Sequence, residues 1–310
     1  MSAAVAQARV QQMLHAPLLP TLLRLATPNV MGLFATTIVI GYDGYILGRV
    51  GADALAGIAL VFPLSMLMLQ MSAGGIGGAT TAAVARALGA GRSQDASRLA
   101  QQALLLAAAL AALFMLVMLG FGRGIFGAMG GRGAALEAAL VYSNVLFSGA
   151  LLIWLTNVLA AVVRGAGNMV LPSVMLLGTA LLHLALCPLL VFGWGPVPAM
   201  GVAGASLASL ISWLLGFGLI LYLLMVRRKL IDTGHQPFAE FITISRKILH
   251  IGLPAAGANM LTPLAMAVLT AILANYGASA VAAGAAASGR LIPAAVRRAS
   301  MMSDMTHSRK

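Results

Sequence analysis

Apolar residues run in seven long blocks, at about 25–47, 54–85, 99–121, 136–163, 169–192, 199–226 and 248–274. A hydrocarbon core roughly 30 Å thick needs about 20 apolar residues at helical rise. Each block meets that length, so each is read as a membrane-spanning helix. The breaks between them carry turn chemistry. GRVGAD at 48–53 and GAGRSQDASR at 89–98 are polar, and GAMGGRG at 127–133 is glycine-rich. RGAGN at 164–168 and FGWGPVP at 192–198 are short, and RRKLIDTGHQPF at 227–238 is the longest polar stretch.

Composition supports the same class. The chain has 310 residues, 61% of them hydrophobic and only 8% charged, where a soluble domain carries about 25% charged residues. Lipid must therefore be the solvent for most of its surface. The fold expected is an all-α polytopic membrane protein. A single cysteine, Cys187, excludes an intramolecular disulfide framework. The first 20 residues lack a sustained apolar core before a small-residue cleavage site, so an uncleaved first span is expected rather than a cleaved signal peptide.

The net charge of +12, from 19 basic and 7 acidic residues, follows from topology. With the N-terminus in the cytoplasm, Arg9, Arg24, Arg86, Arg92, Arg98, Arg164, Arg227, Arg228, Lys229, Arg246 and Lys247 fall inside. Arg49, Arg123 and Arg132 fall outside. This positive-inside asymmetry predicts a cytoplasmic N-terminus, and the membrane expected is a bacterial inner membrane. No basic strip interleaved with aromatics is present, which argues against a nucleic-acid partner.

An internal repeat is visible. Residues 25–60 slide without gaps onto 251–286 and align Pro28 with Pro254, Thr36 with Thr262, Ile46-Leu47 with Ile272-Leu273, and Gly51-Ala52 with Gly277-Ala278. Six spans separate the copies, so the seventh restarts with the orientation of the first, as in a parallel repeat. The domain reading follows: a cytoplasmic segment at 1–24, a six-helix lobe at 25–226, a cytoplasmic linker at 227–247, and the start of a second lobe at 248–293. The tail at 294–310 is polar, basic and methionine-rich. It is read as the product of truncation or a frame shift, with a regulatory tail as the alternative.

Several stretches, in order, resemble the multidrug and toxic compound extrusion (MATE) transporters. They are YDGYILGRVGADALAG at 42–57, GGIGGATTAAVARALGAGRSQDA at 74–96, VVRGAGN at 162–168 and MGVAGASLAS at 200–209. The likeness covers about residues 20–293. It implies a twelve-helix carrier of two six-helix lobes around a central cavity, exporting small organic cations against H⁺ or Na⁺. This chain would supply the first lobe and one further helix.

Asp43 is the sharpest individual signal. A carboxylate inside a span costs roughly 2.5–3.5 kcal/mol on insertion scales and marks a bundle interior or watery cavity. It matches the acidic residue this family carries in its first helix, which makes it the expected coupling site. The other role open to it is a residue near the helix end, snorkelling or paired with Arg49. Gly32, Thr36 and Asp43 share one helix face, and Pro28 is a candidate gating bend. In the fifth span Thr179, His183 and Cys187 fall at i, i+4 and i+8. The family carries a polar pair, asparagine and then aspartate or asparagine, at the stretch matching His183 and Cys187. A thiol does not replace a carboxylate oxygen for Na⁺, so the departure tilts the expected ion toward H⁺. Histidine is a side chain suited to carrying a proton or donating a hydrogen bond, and the other role open to His183 is simply to bond a neighbouring helix. Asn144 and Asn157 in the fourth span, and Gln70 and Ser72 in the second, are substrate candidates or interhelical glue.

Gly74, Gly75, Gly77 and Gly78 follow no strand and no P-loop sequence exists, so ATP chemistry is not expected. They read as a small-residue packing face, with Gly74, Gly78 and Ala82 in one row. Met31, Met66, Met68, Met71, Met115 and Met118 fit lipid or core contact, or adaptable cavity walls. No cofactor beyond the coupling ion and no metal centre is expected, and no catalytic pair marks an enzyme. Two other functions compete with the antiporter: a lipid-linked saccharide flippase, which would need more cavity cations, and a non-transporting remnant that binds or regulates.

Overall fold

The computed structural model describes residues 18–224 and 238–274. The linker core at 227–237 and the tail at 294–310 lie outside them, as does the second half of the aligned repeat beyond residue 274. The chain divides into two compact units, Met1–Leu261 and Thr262–Lys310. Of the second, only the last turns of one helix are described.

The described residues form nine α-helices. They are α1 (Leu18–Val50), α2 (Ala52–Leu69), α3 (Gly77–Gly89), α4 (Ser93–Ala128), α5 (Gly133–Ser148), α6 (Ala150–Gly165), α7 (Val170–Phe192), α8 (Val202–Tyr222) and α9 (Phe238–Ala274). A π-helical segment, Gln70–Ile76, joins α2 to α3 as one continuous rod. Among the described residues five rods are long and apolar enough to cross a bilayer, and a sixth arises if α5 and α6 count as one span bent by 49°. The stretch 248–274 is helical as well, as the later part of α9. Residues 238–247, read from sequence as linker, are the first turns of that same helix.

Two of the spans depart from simple rods, and each departure has a local cause. The bend between α5 and α6 falls at Gly149, whose missing side chain is replaced by Leu210 from α8. A larger residue there would run into Leu210, so α8 reaches this bend only because position 149 carries no side chain. The π segment at Gln70–Ile76 widens the helical register across Gly74 and Gly75. This changes the packing row expected from sequence. Gly74 and Gly75, not Gly74 and Gly78, take the close neighbours. A Cβ on Gly75 would lie 2.7 Å from Ala256 Cβ, and one on Gly74 would lie 2.6 Å from Asn259 Nδ2, both on α9. A Cβ on Gly78 would meet nothing within 4 Å.

The core is built largely from apolar side chains. Trp154, Phe126, Phe147, Leu47 and Met68 are essentially inaccessible, and Phe114 meets Phe147 edge-on at 5.5 Å. The outer surface is apolar in turn: Phe34, Leu105, Leu113, Leu116, Phe121, Leu181 and Leu214 are exposed, as a bilayer solvent requires. The methionines divide, with Met68 and Met118 buried and Met31 exposed.

The packing that matters for function is α1 against α7 and α7 against α8, two of the most extensive contacts in the lobe. Close approach of α7 and α8 depends on Gly204, where any side chain would run into the Leu190 carbonyl. The α7–α8 connection is a tight reversal. Gly193 takes φ 75°, and a Cβ there would sit 2.7 Å from the Ala199 nitrogen, so only glycine fits. Met200 and Gly201 N–H groups then return to the carbonyls of Leu190 and Val191 at 2.9 and 3.1 Å, satisfying the end of α7.

Candidate functional site

Three helices converge on one polar cluster. Asp43 stands on α1, His183 and Cys187 one turn apart on α7, and Ser209 on α8. His183 Nε2 lies 2.7 Å from Asp43 Oδ1. The Cys187 thiol donates to the same oxygen at 3.6 Å. The side chains of His183 and Asp43 are 4% and 14% exposed, and Cys187 is fully buried. Pro188 follows immediately and leaves the Leu184 carbonyl without its usual helical donor.

The proton inventory constrains the cluster. Ser209 Oγ lies 3.3 Å from His183 Nδ1 and 3.3 Å from the Ala205 carbonyl of its own helix. One hydroxyl proton serves only one of those acceptors. Every group is satisfied when Nδ1–H donates to Ser209, Ser209 donates to Ala205, and one proton lies between His183 Nε2 and Asp43 Oδ1. Tyr142, on α5, is buried as well. The polar run passes from the partly open carboxylate through an imidazole to the Ser209 hydroxyl.

The other residues marked by the sequence sit elsewhere. Thr36 Oγ1 donates to the Gly32 carbonyl at 3.0 Å, and Thr179 Oγ1 to the Leu176 carbonyl at 2.9 Å. Both hydroxyls are spent on their own helices. Asn157 donates to Ser72 Oγ at 2.9 Å, tying α6 to the π segment, and Ser72 donates to the Leu69 carbonyl. Asn144 is exposed and Gln70 half-buried. Pro28 lies within α1, whose backbone continues through it as helix. Arg49, the alternative partner for Asp43, instead stands 5.4 Å over the Phe192 ring. Sequence alone does not mark Ser209 or Tyr142. Serine at 206, 209 and 212 recurs every third residue of the sixth span, and only the meeting of α7 with α8 distinguishes the middle one.

A carboxylate–imidazole pair bridging two helices inside an apolar bundle defines a lobe of a polytopic membrane protein with a polar centre. The MatE family model matches residues 28–189. The chain is 31% identical over 274 residues to the FAD transporter of Shewanella oneidensis, covering 87% of this chain and 60% of that protein. It is 29% identical over 272 residues to a probable multidrug resistance protein, NorM, of Thermotoga maritima, covering 84% and 56%. Its structure is similar to an outward-facing multidrug resistance MATE family transporter of the MOP superfamily, with a TM-score of 0.77 and 28% identity over 89% of this chain and 61% of that one. The chain belongs to the MATE family. It spans between 52% and 60% of the length of these and another curated relative.

Proposed function

We propose that the chain carries the N-terminal lobe of a secondary antiporter that exports small organic cations in exchange for protons, with its N-terminus in the cytoplasm. The observation that carries the reading is the 2.7 Å contact between Asp43 and His183. A cation entering from the open side of Asp43 competes for that carboxylate with the proton held between Asp43 and His183. Binding of substrate and holding of the proton are then mutually exclusive, which is the requirement for exchange. The histidine and thiol beside Asp43 supply no second hard oxygen anion, so Na⁺ is poorly served. The multidrug relatives support organic cations as the substrate class.

A second substrate reading comes from the Shewanella relative, which is named for FAD, an anionic dinucleotide. Proteoliposomes holding the 310-residue chain separate the readings. A pH gradient is expected to drive ethidium movement, and Asp43→Asn is expected to abolish it. Movement driven by Na⁺ alone at fixed pH would overturn proton coupling. Movement of FAD but not ethidium would replace the substrate class. No movement under any gradient would leave a binding role for this chain. A reporter fused after Leu230 checks orientation, and a periplasmic signal would overturn it.

A further inference from the structure

We propose that Asp43, His183 and Cys187 form a binding site for a borderline-soft divalent transition-metal ion, best matched by Zn²⁺. The inference stands on the side chains themselves and does not require the antiport reading. One carboxylate oxygen, one imidazole nitrogen and one sulfur all lie within 4.8 Å of one another. Tetrahedral Zn²⁺ holds nitrogen and oxygen at about 2.0–2.2 Å and sulfur at about 2.3 Å. Those lengths separate oxygen from sulfur by roughly 3.6 Å and oxygen from nitrogen by roughly 3.4 Å. The sulfur–oxygen distance is already 3.6 Å. The His183–Asp43 distance must open from 2.7 Å, which a rotation of the partly exposed Asp43 side chain accomplishes.

Four further features fit a metal better than a chance cluster. His183 and Cys187 are spaced i, i+4 on α7, so a single helix presents two ligands on one face, and α1 supplies the third. Ser209 lies against Nδ1 of His183. It accepts that N–H and leaves Nε2 as the free lone pair, the orienting contact that metal-bound histidines ordinarily have. The charges also close. The ion displaces the proton held between His183 and Asp43 and one from the Cys187 thiol, giving a neutral complex of Zn²⁺ with a carboxylate, a thiolate and a neutral imidazole. Neutrality is what a buried site in an apolar bundle needs. The 14% exposure of the Asp43 side chain provides an entry path and leaves a fourth position open.

The test is titration of the purified 310-residue chain in detergent with Co²⁺, without any gradient or substrate. Cys187 is the single thiol in the chain, so a thiolate-to-cobalt charge-transfer band reports that residue alone. The expected result is a band that saturates at one ion per chain, together with the intense visible bands of tetrahedral cobalt. Zn²⁺ should then bleach them stoichiometrically. Cys187→Ser should remove the charge-transfer band. Ser209→Ala, which takes away only the orienting contact, should weaken Zn²⁺ competition by roughly 10–100-fold. No charge-transfer band in the wild-type chain would overturn the proposal, and that reading does not depend on any variant folding. A band that persists with unchanged affinity in His183→Ala would overturn it too. Loss of transport activity, by contrast, leaves this result untouched.

Discussion

Replacing His183 by alanine should destabilise the lobe mainly by stranding Asp43. The two side chains meet at 2.7 Å and are 4% and 14% exposed. Removing one partner of a buried pair costs about 3–5 kcal/mol, because the survivor is left buried and unpaired. Asp43 retains some exposure and still receives the Cys187 thiol, so the lower end, about 3 kcal/mol, is expected. Asp43→Asn keeps the shape and a neutral hydrogen-bond partner for His183, and should cost about 1–2 kcal/mol. If the contact is the source of both losses, the double variant should be less destabilised than the sum by about 1–2 kcal/mol. Denaturation in mixed micelles, followed by tryptophan fluorescence with inaccessible Trp154 as a buried reporter, measures all four corners of the cycle. Losses that add to within about 0.5 kcal/mol would mean that the two residues do not interact, and the cluster would not exist in the folded lobe.

Other consequences follow from individual contacts. Gly75→Ala places a Cβ 2.7 Å from Ala256 Cβ and should cost about 1–3 kcal/mol by overpacking. Ala256→Gly in the same chain should recover most of that loss in a thermal melt. Asn157→Leu should cost about 0.6 kcal/mol, the usual worth of an interhelical bond in a membrane. Ser72→Ala should add little on top of it, because the two share one bond. Thr36→Ala should change stability by less than about 0.5 kcal/mol and leave cation binding intact, since the hydroxyl serves only the Gly32 carbonyl.

Helices were readable from sequence because the bilayer imposes length: an apolar block of span size, repeated seven times with polar breaks, has nowhere to bury itself but lipid. The cost of burying a carboxylate picked out Asp43, and the i, i+4 step put His183 and Cys187 on one face. Their meeting with Asp43 was not readable, because 140 residues separate Asp43 from His183 and only the docking of α1 on α7 joins them. Proximity in sequence offered Arg49 as an alternative partner, yet that side chain finds the Phe192 ring. Serine is common in apolar helices, so Ser209 carried no signal until α8 was placed. The π segment was hidden for a related reason. A helical row of Gly74, Gly78 and Ala82 assumes an unbroken period, and the widened register at 70–76 shifts which glycines face α9.

The proposed exchange requires that Asp43 hold either the proton it shares with His183 or a substrate cation, but not both. Calorimetric titration of the purified chain with tetraphenylphosphonium, in buffers of different ionisation enthalpy, counts the protons exchanged on binding. The wild-type chain is expected to release about one proton per cation bound, and Asp43→Asn and His183→Gln none. Cation binding with no proton released by the wild-type chain, or with the same release from Asp43→Asn, would refute the competition between proton and substrate.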